Sequence, residues 1–208
     1  LVNTASVYGN YNAGGIIGTI TNIKDLSNSY NTGSVSSNKN SGGIIGSVNK
    51  NKDGLNLYNV YNTGNITGIS GGLVGNILDN TGPINIYNSF DTSDTYIINS
   101  ITNSNVSVSN TYYINNTYTI STGSVNGTFT NTSIDNLKSK DFIKNTLWFN
   151  EYISKSDLST NKNNVWVYDN SSYPILYIDD LKNPIASIHV SSYLWNNYSD
   201  DINKYNFN

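Results

Sequence analysis

Apolar and polar residues alternate in short runs along the first 130 residues of the chain. Leu55-Asn56-Leu57 and Ile84-Asn85-Ile86 are the clearest cases. A period of two puts one set of side chains on a buried face and the other in water, which is the mark of a half-buried strand. The runs are rich in Ile, Val, Tyr and Thr, residues that favour extended backbone. A helical period appears only towards the end. Over residues 135–147, Leu137, Phe142, Ile143 and Leu147 fall near helical spacing, behind Ser133 or Asp135 as N-cap. The pattern predicts an all-β chain with one short helix near its end.

The strands recur in blocks. Gly14-Gly-Ile-Ile-Gly18, Gly42-Gly-Ile-Ile-Gly46 and Gly71-Gly-Leu-Val-Gly75 begin 28 and 29 residues apart. Between them stand Ser29-Tyr-Asn-Thr-Gly-Ser-Val35, Val60-Tyr-Asn-Thr-Gly-Asn-Ile66 and the degenerate Ser89-Phe-Asp-Thr-Ser-Asp-Thr95. Aligned, they bring Ser6, Asn28, Asn59, Asn88 and Asn110 into one column, each two residues before an aromatic: Tyr8, Tyr30, Tyr61, Phe90 and Tyr112. The intervals of 22, 31, 29 and 22 residues suit the turns of a solenoid, the longer ones holding a loop. The expected architecture is a right-handed parallel β-helix of five coils, stacked at about 4.8 Å. In such a stack the Asn column forms a ladder of side-chain amides and the aromatic column stacks ring on ring. The repeat glycines Gly14, Gly15, Gly18, Gly42, Gly43, Gly46, Gly71, Gly72 and Gly75 are expected to supply positive-φ corners between strands.

The paired GGIIG/GGLVG and YNTG blocks resemble the GLUG repeat, found in bacterial surface adhesins, large repetitive exported proteins and immunoglobulin A protease precursors. The resemblance covers residues 1–130 and implies a β-helix displayed on a surface. It continues through Thr111-Tyr-Tyr-Ile114, Asp135 to Trp148, Val165-Trp-Val-Tyr168 and Tyr173-Pro-Ile-Leu176, which look like the segment that closes such repeats. Residues 131–178 are therefore expected to cap the last coil. Leu137, Phe142, Trp148, Trp166, Tyr173 and Pro174 would form the plug, since an uncovered coil is an open strand edge. Residues 179–208 form a tail or the start of a further module. The chain departs from the repeat at Ser93 and at Ile98-Asn-Ser-Ile101, where glycines are lost. The protease relatives' His-Glu-x-x-His zinc motif is absent, so no proteolytic activity is carried over.

Composition narrows the picture further. The chain has 208 residues, of which 39 are Asn, 28 Ser and 19 Thr, with only 12% charged and a net charge of −3. Such polarity suggests disorder, but 17 Tyr, 5 Phe and 3 Trp allow a thin core of the kind a solenoid needs. There is no Cys, so no disulfide or thiolate metal site is possible. All 11 basic residues are scattered Lys, which argues against nucleic acid as a partner. No apolar run is long enough to span a membrane. Abundant Asn, Ile, Lys and Tyr without Arg fit AT-rich codons, as in a low-GC bacterium, a phage or a large DNA virus. The chain opens inside a repeat at Leu1, as a piece of a longer protein or larger assembly would.

The candidate chemistry is sparse. His189 is the one His. There is no nucleophile elbow, and Gly42-Gly-Ile-Ile-Gly-Ser47 lacks a P-loop lysine. Polysaccharide hydrolysis needs facing carboxylates, and the coil region offers only Asp25, Asp53, Asp79, Asp91 and Asp94. Asp91 and Asp94 are read as turn residues more than as calcium ligands. No catalytic residue, cofactor or metal is therefore expected. The expected function is a non-enzymatic structural or adhesive module of a surface, fibre or virion protein. It would be extracellular or on a cell or virion surface, contacting other surface or shell proteins or host glycans. The alternative is a polysaccharide-active β-helix, a lyase or glycoside hydrolase, whose test is whether Asp53, Asp79, Asp91 and Asp94 meet around one cleft.

Overall fold

The alternating runs become rungs of two parallel sheets in a computed structural model, which describes residues 1–114, 119–142, 166–167 and 173–176. The first sheet holds β1 (Val2–Asn3), β5 (Asp25–Asn31), β8 (Leu55–Asn62), β10 (Ile84–Asp91), β12 (Val106–Ile114) and β14 (Asn126–Thr132), in that order. The second holds β2 (Val7–Gly9), β3 (Asn12–Gly14) and β4 (Ile17–Ile20), then β6 (Val35–Gly42) and β7 (Ile45–Asn49), then β9 (Ile66–Leu78), β11 (Tyr96–Thr102) and β13 (Ile120–Thr122). The chain passes from one sheet to the other and back, and every rung pairs in parallel with the next. The result is a β-solenoid of about four turns.

The core is the lumen between the sheets. Leu26, Leu57, Ile86 and Val108 stand above one another in the first sheet. Ile45, Val74 and Ile98, and beside them Val48, Ile77 and Ile101, do so in the second. All ten are buried in one cluster. Each such aliphatic contributes about 1.5–3 kcal/mol by leaving water. Because like sits over like, a single rung pattern, once stable, is stable when repeated.

Two sequence expectations need correction. None of the nine repeat glycines has positive φ. Positive φ belongs instead to Asn28, Asn59, Asn88 and Asn110 in the first sheet and to Lys50, Asp79 and Asn103 at the corner leaving the second. Asn tolerates the left-handed region better than most residues, which is why it can take these positions. All of these glycines except Gly18 are required by space; a Cβ on Gly18 would come no nearer than 3.2 Å to the Asn12 oxygen. A Cβ on Gly43 would lie 2.0 Å from the Gly72 carbonyl oxygen and 2.3 Å from Asn62 Cγ, and one on Gly15 would lie 2.2 Å from the Gly43 oxygen. The lost GGxxG of the fourth coil is also misplaced. Tyr96 pairs with Gly71 and Ile98 with Val74, across a register shift, so Tyr96-Ile97-Ile98 replaces the glycine block, and Ser100 and Ile101 lie beyond it opposite Asn76 and Ile77.

The helix α1 spans Ile134–Leu137, four residues, and not 135–147. Ser133 is its N-cap, accepting from the Asn136 amide, and Lys138 closes it. Ser139 then offers a second cap: helical backbone resumes at 140–142, and the Phe142 amide donates to Ser139 Oγ at 3.4 Å. Two competing serine caps split the apolar pattern. Ile143, Leu147, Trp148 and Phe149 lie outside the described residues, as do His189 and the 179–208 tail.

Candidate functional site: the ladder faces of the solenoid

Asn28, Asn59, Asn88 and Asn110 form an axial ladder. Asn59 Nδ2 donates to Asn28 Oδ1 at 3.1 Å, Asn88 Nδ2 to Asn59 Oδ1, and Asn110 Nδ2 to Asn88 Oδ1 at 2.9 Å. The Tyr112 hydroxyl ends the row by donating to Asn110 Oδ1 at 2.6 Å. Backbone and side chain act together here: each φ near +50° turns the strand and aims its amide along the axis. Replacing the buried Asn59 with Leu puts a branched chain in a left-handed corner and deprives its neighbours of a partner. A loss of about 1–3 kcal/mol in urea unfolding is expected. An unchanged midpoint would count against a stabilising ladder.

Ser6 and Tyr8 do not belong to these columns. Val2, not Tyr8, is opposite Tyr30. Tyr8 pairs with Ser36 on the second sheet and is 69% exposed. The first coil's copy of the motif is Val2-Asn3-Thr4, hidden from an aromatic search because Val stands at the ring position.

That copy reveals a second ladder, made by the Asn of each YNTG block. Asn3 Nδ2 donates to Asn31 Oδ1 at 2.7 Å, Asn31 to Asn62 at 2.7 Å, and Asn62 to Asp91 Oδ1 at 2.9 Å. Asn31, Asn62 and Asp91 are buried. Each also clamps the corner it starts: Asn31 Nδ2 donates to the Gly33 carbonyl at 2.8 Å and accepts from the Gly33 amide at 3.2 Å, and Asn62 does the same with Gly64. The repeat glycines make room for this ladder. A Cβ on Gly72 would sit 1.9 Å from Asp91 Oδ2. Asp91 is the one carboxylate in the row. Burial raises its pKa to about 7, against hydrogen bonds from Asn62, Ser93 and the Thr92 backbone that pull it down. The motif signalled this ladder, but in a chain so rich in Asn the signal was indistinct.

The aromatic column lies outside the lumen. Tyr30, Tyr61 and Phe90 stack with centroids 4.7 and 4.9 Å apart, nearly parallel. Burial, and next the Tyr30 hydroxyl, push the Tyr61 hydroxyl well above its ordinary pKa. The C-terminal segment covers this stripe from the side. β15 (Trp166–Val167) and β16 (Ile175–Leu176) pair antiparallel. Trp166 lies over Tyr61 and Phe90 at 5.8 and 5.5 Å, Tyr173 over Phe90 at 6.1 Å, and Phe142 edge-on to Tyr112 at 5.2 Å. Leu137 and Leu176 complete the cluster, and Pro174 is buried beside it. The expected plug over the last coil is corrected: these residues flank the rod across successive coils.

On the outer side of the first sheet, Ser27, Tyr58, Tyr87 and Ser109 stand in register. Tyr58 and Tyr87 stack at 5.0 Å, 4° from parallel. A small serine stands in the next rung on either side of the pair. Beside them runs a third ladder, in which Asn85 donates to Asn56 at 2.9 Å and Asn56 to Asp25 Oδ1 at 3.0 Å. Burial, then the Tyr58 hydroxyl and the Asp25 carboxylate, hold the Tyr87 hydroxyl protonated above its usual range.

The chain matches no known family, no curated protein and no solved structure. What it does must therefore be read from these faces. Asp91 is sealed in the second ladder, while Asp79 accepts from Asn103 at 2.8 Å at the opposite corner. Among the described residues, no three His, Cys, Asp or Glu side chains gather as metal ligands would. No helix among them is long and apolar enough to cross a membrane.

Proposed function

We propose that the chain is a non-enzymatic structural or adhesive module, displayed on a cell or virion surface, that contacts its partner through the outer face of the first sheet. The observation that carries this reading is the Tyr58–Tyr87 stack with its flanking serines and amide ladder. Axial amide ladders hold that face flat and stiff, so contact costs little ordering entropy. Tyrosine offers broad, amphipathic contact area, which is why interfaces are enriched in it. The GLUG-like blocks support the same reading by resemblance.

Two measurements test it. The whole chain incubated with homogalacturonan, xylan and hyaluronan is expected to release no reducing ends or unsaturated uronates. Release that an Asp79→Asn or Asp94→Asn substitution abolishes would turn the reading over to a polysaccharide-active solenoid. The double substitution Tyr58→Ser and Tyr87→Ser is expected to reduce retention on mucin-coated beads while leaving stability within about 1 kcal/mol. Undiminished retention would move the contact off this face.

A further inference from the structure

The last coil of the solenoid is uncovered. β14 ends the first sheet and β13 the second, and among the described residues no strand pairs with the far edge of either. The residues expected to plug this end lie on the flank of the rod. The exposure pattern shows the consequence. Val108, Thr111 and Ile114 on β12 are buried, whereas every residue of β14 from Asn126 to Asn131 is exposed except the half-buried Phe129. Ile120, Val125 and Phe129 pack against the aliphatic core but are only partly buried. They form the open mouth of the lumen.

Two features of the sequence point to what covers it. An open strand edge is normally guarded by lysine, proline or an inward-pointing charge. No charged residue and no proline stand between Asp94 and Asp135. Nothing in the last coil therefore repels a strand or denies it hydrogen bonds. β14 is also nearly palindromic: it reads Asn126-Gly-Thr-Phe-Thr-Asn-Thr132, with Phe129 at its middle. A two-fold axis at Phe129 lays a second β14 antiparallel on the first. Phe129 then stands beside Phe129, Thr128 opposite Thr130, and Gly127 opposite Asn131. Threonine pairs and aromatic contacts are favourable across antiparallel strands. An axis that crosses both sheets also brings β13 to β13 and joins the two lumens, so the half-buried apolar residues at each mouth leave water together.

We propose that two copies of the chain associate end to end through β14, about a two-fold axis at Phe129. Such a contact uses the same patch on both partners and closes at two. The proposal goes beyond the contact reading above and uses a different surface. Sedimentation velocity of the whole chain, from dilute to concentrated solution, tests it. The end face is narrower than a standard interface, so a reversible dimer of micromolar order is expected. Thr128→Lys combined with Thr130→Lys, both at exposed positions, sets like charges opposite each other across the axis. That variant should be monomeric with the parent's circular dichroism. Thr128→Lys combined with Thr130→Glu sets opposite charges in the same places and should restore the dimer. The Tyr58→Ser, Tyr87→Ser double variant should dimerise as the parent does, so failure of this contact and failure of the tyrosine face are separable. A parent that stays monomeric at the highest concentration, a dimer that survives the double lysine change, or a Lys/Glu variant as monomeric as the double lysine one overturns the proposal. Growth beyond the dimer also overturns it, since that would mean a head-to-tail stack.

Discussion

Trp166→Ala is expected to cost about 3–5 kcal/mol, the range for removing a large aromatic from a packed site. Trp166 is fully buried, and its indole covers both Tyr61 and Phe90. These rings belong to neighbouring rungs, so one side chain bridges two coils. The lumen is not touched, because the aromatic stripe and the aliphatic core are separate clusters. Loss should therefore appear first as exposure of the stripe: increased binding of a hydrophobic dye before any change in the β-sheet circular dichroism. In urea, the midpoint should fall for the part of the signal that reports the aromatic cluster. A variant with parental stability and no dye binding would mean that the lateral packing contributes little. Parallel loss of both signals would instead make the flank part of one cooperative unit with the rod.

The lateral position of this segment also shows where sequence reading reaches its limit. The apolar residues Leu137, Phe142, Trp166 and Tyr173 were legible as a cluster-forming set, because large apolar side chains recur from residue 137 to residue 176. Their destination was not. A solenoid has an open end and a long flank, and both can be covered by the same residues. The choice depends on Tyr30, Tyr61 and Phe90 standing outside the lumen, which follows from how each strand kinks at its left-handed Asn. That kink was visible only as an Asn two residues before a ring. The ladder of Asn28, Asn59, Asn88 and Asn110 could be named from this spacing, whereas Ser6 and Tyr8 were drawn in by the same rule and sit elsewhere. The glycine blocks were legible as repeats, but their cause was not. Close approach of a stacked amide and a neighbouring carbonyl, as at Gly43, leaves the same residue in the sequence as a positive-φ turn. The tyrosine face depends on register between coils of unequal length, which no single stretch of sequence contains.

Asp91 gives the second large effect, because it places a carboxylate where Asn31 and Asn62 place amides. Its folded pKa of about 7 lies above the ordinary 3.8, and burial is the main cause. Between those values the folded chain holds a proton that the unfolded chain has released. Stability from this group is therefore fully present below about pH 4, declines as pH rises, and is gone above about pH 7. About three units of difference correspond to roughly 4 kcal/mol across that window. Asp91→Asn removes the titrating group and continues the ladder. Asn62 Nδ2 keeps an acceptor in the new Oδ1, and the new Nδ2 can donate to the Ser93 carbonyl, as Asn31 and Asn62 donate to Gly33 and Gly64. The variant is expected to exceed the parent in stability at pH 8 by up to about 4 kcal/mol and to approach it at pH 4. Other carboxylates titrate in both proteins, so the difference between the two curves, measured by urea unfolding at intervals from pH 4 to 8, isolates Asp91. A constant difference across the range would mean that Asp91 does not titrate within it. A parent more stable than the variant at pH 8 would mean that the ionised carboxylate, held by Asn62 and Ser93, is the preferred end of the ladder and that the hydrogen bonds outweigh burial.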